Sequence, residues 1–130
     1  MNHKVAGRHF GRTCNQRKAL LRGLVTSLIE HQSIETTLAK AKAIKPITEK
    51  LVTISKRNDL HSKRLVMSYL YTRDAVVKLF SEIAPNFSNT NGGYLQIIRN
   101  GTRLKDRAPM AIIQFVNYVP KEKNKKKEKK

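Results

Sequence analysis

Apolar positions along this chain recur first at helical spacing: Leu20, Leu21, Leu24, Val25, Leu28 and Ile29. Thr13, with Gln16 three residues on, has the makings of a capping box ahead of them, so a helix is predicted from about Thr13. Its other face carries Arg17, Lys18 and Arg22 near the N-terminal end. Ser33–Thr37 then alternates loosely and holds β-branched Ile34, Thr36 and Thr37, which predicts a short strand. Leu38, Ala41, Ile44, Ile47, Leu51 and Ile54 follow at three- and four-residue steps, with Lys40, Lys42, Lys45, Lys50 and Lys56 mostly between them. This is a second amphipathic helix. Pro46 lacks the N–H that would bond the Lys42 carbonyl, so a kink or a break into two shorter helices is expected there.

Beyond Asn58 and Asp59, one helical stretch carries Leu65, Val66, Tyr69 and Leu70, and a second from about Thr72 carries Val76, Val77, Phe80 and Ile83, with Pro85 as its end. Residues 86–93 are rich in turn formers, and Gly92 and Gly93 read as a tight turn into a strand. Residues 94–99 and 110–119 read as strands of a hairpin, with Asn100 and Gly101 as a turn. Residues 101–109 are too long for a two-residue connection and hold Arg103, Lys105 and Arg107, so a basic hairpin loop is expected.

The ends of the chain lack this patterning. Residues 1–12 show little apolar periodicity and include Gly7 and Gly11, as expected of a basic arm ordered by its ligand. The last ten residues are seven lysines, two glutamates and an asparagine; with no apolar side chain to bury, residues 120–130 are expected to be a disordered tail. Residues 13–119 between them suit a single domain in a chain of 130 residues.

Charge sharpens the picture. Lys and Arg number 27 against 9 Asp and Glu, giving +18 at neutral pH. The tail supplies +5 of this, leaving +13 on the first 120 residues. Such a field opposes compaction in isolation and becomes attraction beside phosphates, so nucleic acid is the natural partner. An anionic membrane surface fits less well, because the charge is spread along the whole chain and is not concentrated on a single amphipathic helix or beside an apolar span. No run approaches the roughly 18 apolar residues needed to cross a bilayer, and no secretory leader pattern follows the first residues. A soluble, cytosolic chain without membrane insertion is expected. Cys14 is the single cysteine, which rules out an intramolecular disulfide and a cysteine-rich zinc site.

Catalytic patterns are missing. The acids are scattered singly, with no nucleophile–base set and no carboxylate pair. His3, His9, His31 and His61 fall in no paired metal-ligand spacing, and neither Walker nor dinucleotide glycine patterns surround Gly92 and Gly93. No enzyme activity, cofactor or metal is expected. The N-terminal segment is different: Lys4, Arg8, Arg12, Arg17, Lys18 and Arg22, together with His3 and His9, all precede the first acid, Glu30. Cations, glycines and no balancing acids are what tracking a folded phosphate backbone requires. Arg99, Arg103, Lys105 and Arg107 form a second candidate group, and Tyr94 either stacks on an unpaired base or packs as a half-buried strand residue.

Several of these residues also carry a resemblance. His3, Gly7, Arg8 and Arg12, then Thr36, Thr37, Leu38, Lys40, Ala41 and Lys42, then Arg73, Asp74, Lys78, Leu79 and Phe80 stand in the order of one known pattern. Gly92, Gly93, Tyr94, Ile97, Arg103, Asp106, Ala108, Pro109, Met110, Ala111 and Val116 complete it. On these residues the chain resembles the bacterial large-subunit ribosomal protein family numbered seventeen, over essentially residues 1–119. Asn2, Thr90 and Gln96 stand where that family often has arginine, and Val5, Phe10 and Pro46 are atypical. The resemblance implies an α+β fold of two layers, with several helices on one face of a small three-stranded mixed sheet. It also implies a place on large-subunit RNA near the nascent-chain exit, beside the ribosomal protein numbered thirty-two.

The resulting expectation is a structural ribosomal protein whose arm, first helix and hairpin loop neutralise converging RNA phosphates, with no homo-oligomer. Backbone and shape contacts should outweigh base readout, because only 6% of residues are aromatic. A nucleoid-type DNA-binding protein is the alternative, although no recognition helix, minor-groove wedge or dimer symmetry is legible. A nucleic-acid enzyme is disfavoured by the absence of carboxylate pairs able to gather metal ions.

Overall fold

Thr13 opens the first helix through the anticipated capping box: Gln16 N donates to Thr13 Oγ1 at 3.5 Å and Thr13 N donates to Gln16 Oε1 at 3.3 Å. The computed structural model describes residue 3 and residues 7–119. The expected lysine-rich tail at 120–130, like Lys4 of the arm, lies outside the described residues. Helix α1 runs Cys14–His31, strand β1 Ser33–Thr37 and helix α2 Leu38–Ser55. Helix α3 covers Leu60–Tyr69 and α4 Arg73–Lys78; a π-helical turn at Leu79–Ile83 and a last turn, α5, at Ala84–Asn86 continue it. Strands β2, Leu95–Thr102, and β3, Pro109–Phe115, close the fold.

The α+β architecture and its three strands match expectation, but the sheet is antiparallel throughout and not mixed. Its order is β1-β3-β2, with Ile34 opposite Ile113 and Ile97 opposite the same Ile113. The outer strands β1 and β2 do run parallel to each other, joined by the whole helical segment. The returning β3 inserts between them and converts what would be a parallel pairing into two antiparallel ones.

Helix α2 packs on all three strands. Its Ala41, Ile44, Thr48, Leu51, Val52 and Ser55 are buried, and Ala111, Ile113, Phe115 and Leu95 rise to meet the helical layer from the sheet. Alternation sends Ile98 to the uncovered face, where it is exposed.

Pro46 does not break α2, which stays helical over 18 residues. The proline sits on the exposed face of the helix, so the core contacts on the opposite side hold the segment helical although one backbone bond is missing. The region bearing Pro85 ends one residue past it, at Asn86, because the proline occupies the first turn of α5, where its missing N–H costs least.

Asn100 and Gly101 are not the hairpin turn. They lie within β2 at a bulge, where one extra residue separates Arg99, opposite Ala111, from Thr102, opposite Pro109. Gly101 takes φ +71° there, a conformation open to glycine at little cost. The last strand ends at Phe115, short of the predicted 119, because Val116 N turns to bond the Tyr94 carbonyl at 3.0 Å and residues 116–117 form a turn.

Candidate nucleic-acid interface

The described part of the arm is folded back on the helices. Arg12 N donates to the His9 carbonyl at 3.1 Å, closing a turn in which Phe10 and Gly11 both have positive φ, +54° and +61°. Glycine suits that geometry; a phenylalanine held there stores about 1–3 kcal/mol of backbone strain. Arg12 Nη1 donates to the Phe10 carbonyl at 2.9 Å and pins the turn. Arg17, which can only donate, reaches from α1 to His9 Nδ1 at 2.9 Å. This contact joins the described part of the arm to the first helix.

Between this element and α2 lies a cleft of about 450 Å³. Arg8, His9 and Arg17 line it from the arm and α1, and Lys42 lines it from α2. Leu21, Ala43, Pro46 and Ile47 give it an apolar floor, and no carboxylate borders it. Lys42, one of the lysines between the apolar positions of the second helix, was not among the candidate contacts, and nothing in the local sequence sets it apart from its neighbours. Lys18 lies on the neighbouring side of α1, bordering a second cleft of about 440 Å³ with Arg22, Ser68 and Tyr69. His3, Arg8, His9, Arg12 and Lys18 are exposed.

Three of the predicted contact residues have partners within the fold. Arg22 turns inward: Nε donates to the Tyr69 carbonyl at 2.6 Å, Nη2 to the Ser68 carbonyl at 3.2 Å, and the guanidinium stands 4.5 Å from the centre of the Tyr71 ring. It satisfies the last carbonyls of α3, where a cation also meets the negative end of the helix dipole. Burial pushes the neighbouring Tyr69 hydroxyl above its ordinary pKa, and the Arg22 charge opposes that.

Tyr94 is only 1% exposed, packs edge-on against Phe87 at 5.1 Å and places its hydroxyl 3.3 Å from Thr53 Oγ1. It is a core residue, and its ring has no open face on which a base could stack. Gly93, at φ +67°, makes the tight turn that brings it there.

Arg103 is held within its own loop. Its Nε and Nη2 donate to the two carboxylate oxygens of Asp106 at 2.9 and 2.7 Å. The loop is closed further by Arg103 N to the Ala108 carbonyl at 2.9 Å. Lys105 and Arg107 remain exposed on it, as does Arg99 on β2.

Three of the acids bond neutral groups and not the cations of this surface. Glu30 accepts from Thr72 Oγ1 at 2.6 Å, Glu35 from Asn100 Nδ2 at 2.9 Å and Asp59 from Ser62 N at 2.6 Å. These carboxylates cap helices or fasten elements through neutral donors. Among the described residues, Arg103–Asp106 is the one salt bridge. Also among them, no three His, Cys, Asp or Glu side chains come together as a metal site, and no helix is long and apolar enough to cross a membrane.

Comparison with known proteins agrees with the sequence resemblance. The family model described as ribosomal protein L17 matches residues 20–116. The chain is 59% identical over 130 residues to the large ribosomal subunit protein bL17 of Thermodesulfovibrio yellowstonii, covering all of this chain and 98% of that one. It is 49% identical over 118 residues to the protein of the same name from Desulfotalea psychrophila, covering 91% of this chain and 92% of that one. It is 50% identical over 116 residues to that from Allorhizobium ampelinum, covering 89% and 82%.

Proposed function

The chain belongs to the ribosomal protein L17 family, and on that premise we propose that it binds folded large-subunit rRNA and stabilises it by neutralising converging phosphates. Membership makes it a structural, non-enzymatic component of the bacterial large ribosomal subunit, and so a cytoplasmic protein within the ribosome. The RNA contacts, and a position near the nascent-chain exit beside the protein numbered thirty-two, are part of the proposal.

The observation that carries it is the placement of charge: Glu30, Glu35 and Asp59 are occupied by neutral donors elsewhere, while Arg8, Arg17 and Lys42 converge on one acid-free cleft. Unpaired cations gathered on a fixed surface gain most from a partner that brings phosphates and releases counterions. The proposed contact set is His3, Lys4, Arg8, His9, Arg12, Arg17, Lys18 and Lys42, with Arg99, Lys105 and Arg107 as a second group. Arg22 and Arg103 serve it indirectly, by holding α3 and the hairpin loop. The division into a 1–12 arm, a 13–119 domain and a 120–130 tail belongs to the same reading.

Competition binding tests it. Purified protein is titrated with large-subunit rRNA against equal masses of small-subunit rRNA and duplex DNA, at two salt concentrations. Preference for large-subunit RNA that persists at the higher salt is expected. Equal affinity for all three would favour a general nucleic-acid binder of the nucleoid type.

A further inference from the structure

We propose that the cleft between the arm turn and helices α1 and α2 takes one unpaired ribonucleotide, its base against Phe10 and the apolar floor and its phosphates on the cationic rim. The inference rests on the RNA-binding reading above and assigns that surface a specific ligand.

The cleft, at about 450 Å³, falls in the range of roughly 300–1,000 Å³ in which small-molecule sites lie. It combines two linings that a duplex backbone alone does not call for. Leu21, Pro46 and Ile47 form an apolar floor, and Phe10 adds an aromatic ring to the wall. Arg8, Arg17 and Lys42 add positive charge at the same cleft. A helical RNA surface presents phosphates and riboses, for which cations and polar groups suffice. An aromatic and aliphatic surface beside those cations matches a nucleotide whose base has left the stack, the form in which RNA bases are taken up on aromatic side chains.

The backbone at Phe10 is the second, independent observation. This residue holds φ +54° in a turn where glycine is the natural occupant, and Arg12 bonds its carbonyl at 2.9 Å. Its side chain is half-buried along the cleft. A bulky ring kept at a strained position that a smaller residue would fill more easily points to work done by the ring. Gly11 follows at φ +61° and continues the turn, so the strain is confined to the residue that carries the aromatic group.

Phe10→Gly gives a clean test, because glycine accepts the observed φ while removing the ring. Ala43→Leu narrows the cleft from α2 without altering a charge or the arm, and Phe10→Tyr keeps an aromatic wall. The intact chain and each variant are titrated with large-subunit rRNA over a salt series, and base reactivity is mapped by chemical probing of each complex. Phe10→Gly should weaken binding about 5- to 150-fold, the equivalent of one stacked base, with an unchanged dependence on salt. Ala43→Leu should weaken it in the same way, and Phe10→Tyr should bind like the parent. One nucleotide protected in the parent complex should become reactive with both weakened variants. Parent-like affinity and an identical reactivity map for Phe10→Gly and Ala43→Leu would overturn the pocket and leave RNA binding standing. Failure of the parent chain to bind the RNA at all would overturn both.

Discussion

The two guanidinium nitrogens Nε and Nη2 of Arg103 donate to the two oxygens of Asp106, at 2.9 and 2.7 Å, across a single loop turn. With a further bond from Ala108 N, the pair holds the Asp106 carboxyl down at about 2, from an ordinary 3.8. A depressed carboxylate stabilises the loop fully above its ordinary value, and that contribution is lost as pH falls from 3.8 through about 2. Carbon-detected NMR titration of the Asp106 side chain should therefore give a midpoint near 2. Arg103→Ala should move it up toward 3.8, and a parent midpoint already near 3.8 would contradict the pairing.

The same pair divides the loop cations by role. Lys105→Ala and Arg107→Ala should each lower the steepness of log affinity against log salt by about 0.7–0.9, the loss of one phosphate contact. Arg103→Ala removes a charge already matched by Asp106, so its slope should change less than either. Salt-series binding to large-subunit rRNA measures all three, and equal slope changes would mean that Arg103 leaves Asp106 to meet the RNA.

Arg22 ties α1 to the end of α3 across 47 residues of sequence. Arg22→Ala loses bonds to the Tyr69 and Ser68 carbonyls and the stacking over Tyr71. Hydrogen bonds from a charged donor contribute about 1.5–3 kcal/mol, and partial exposure reduces that. A loss of roughly 1–2 kcal/mol in urea unfolding is expected, with no restoration by Arg22→Lys, which lacks the fork that reaches two carbonyls. An unchanged unfolding midpoint would remove Arg22 from the scaffold and return it to the RNA-facing set.

Pro46 remains inside a helix that its neighbours enforce. Pro46→Ala restores an N–H toward the Lys42 carbonyl, and an interior proline costs about 3 kcal/mol relative to alanine. The local structure has already adapted, so a gain of about 1–2 kcal/mol is expected in thermal or urea unfolding. A loss of stability would show that the proline ring's packing at the cleft outweighs the missing bond.

What the sequence disclosed and what it withheld separate along physical lines. Thr13 and Gln16 announce their capping box because both partners lie within one turn, and the alternation at Ser33–Thr37 is equally local. The acid-free run before Glu30 marks the basic element directly. Arg22 could not be read as a scaffold residue, because its acceptors belong to a helix whose position depends on tertiary packing. Arg103 was legible as a cation and Asp106 as part of the pattern, but their union required the loop's closure by Ala108. Tyr94 stayed open between two roles until Phe87 and Thr53 were placed around it. Pro46 misled because a local rule was overridden by the buried residues on the far side of α2. Lys42 looked like its neighbouring lysines and is set apart only by the cleft it borders.

Sedimentation of the tagged chain with ribosomes on sucrose gradients, at moderate and at high salt, tests the central claim most directly. An integral large-subunit component held by many converging phosphate contacts stays with the large-subunit peak through the high-salt wash, and that is the expected result. Release into the free fraction, or equal retention on both subunits, would contradict it and identify the binding as general electrostatic adhesion, which weakens steeply with salt.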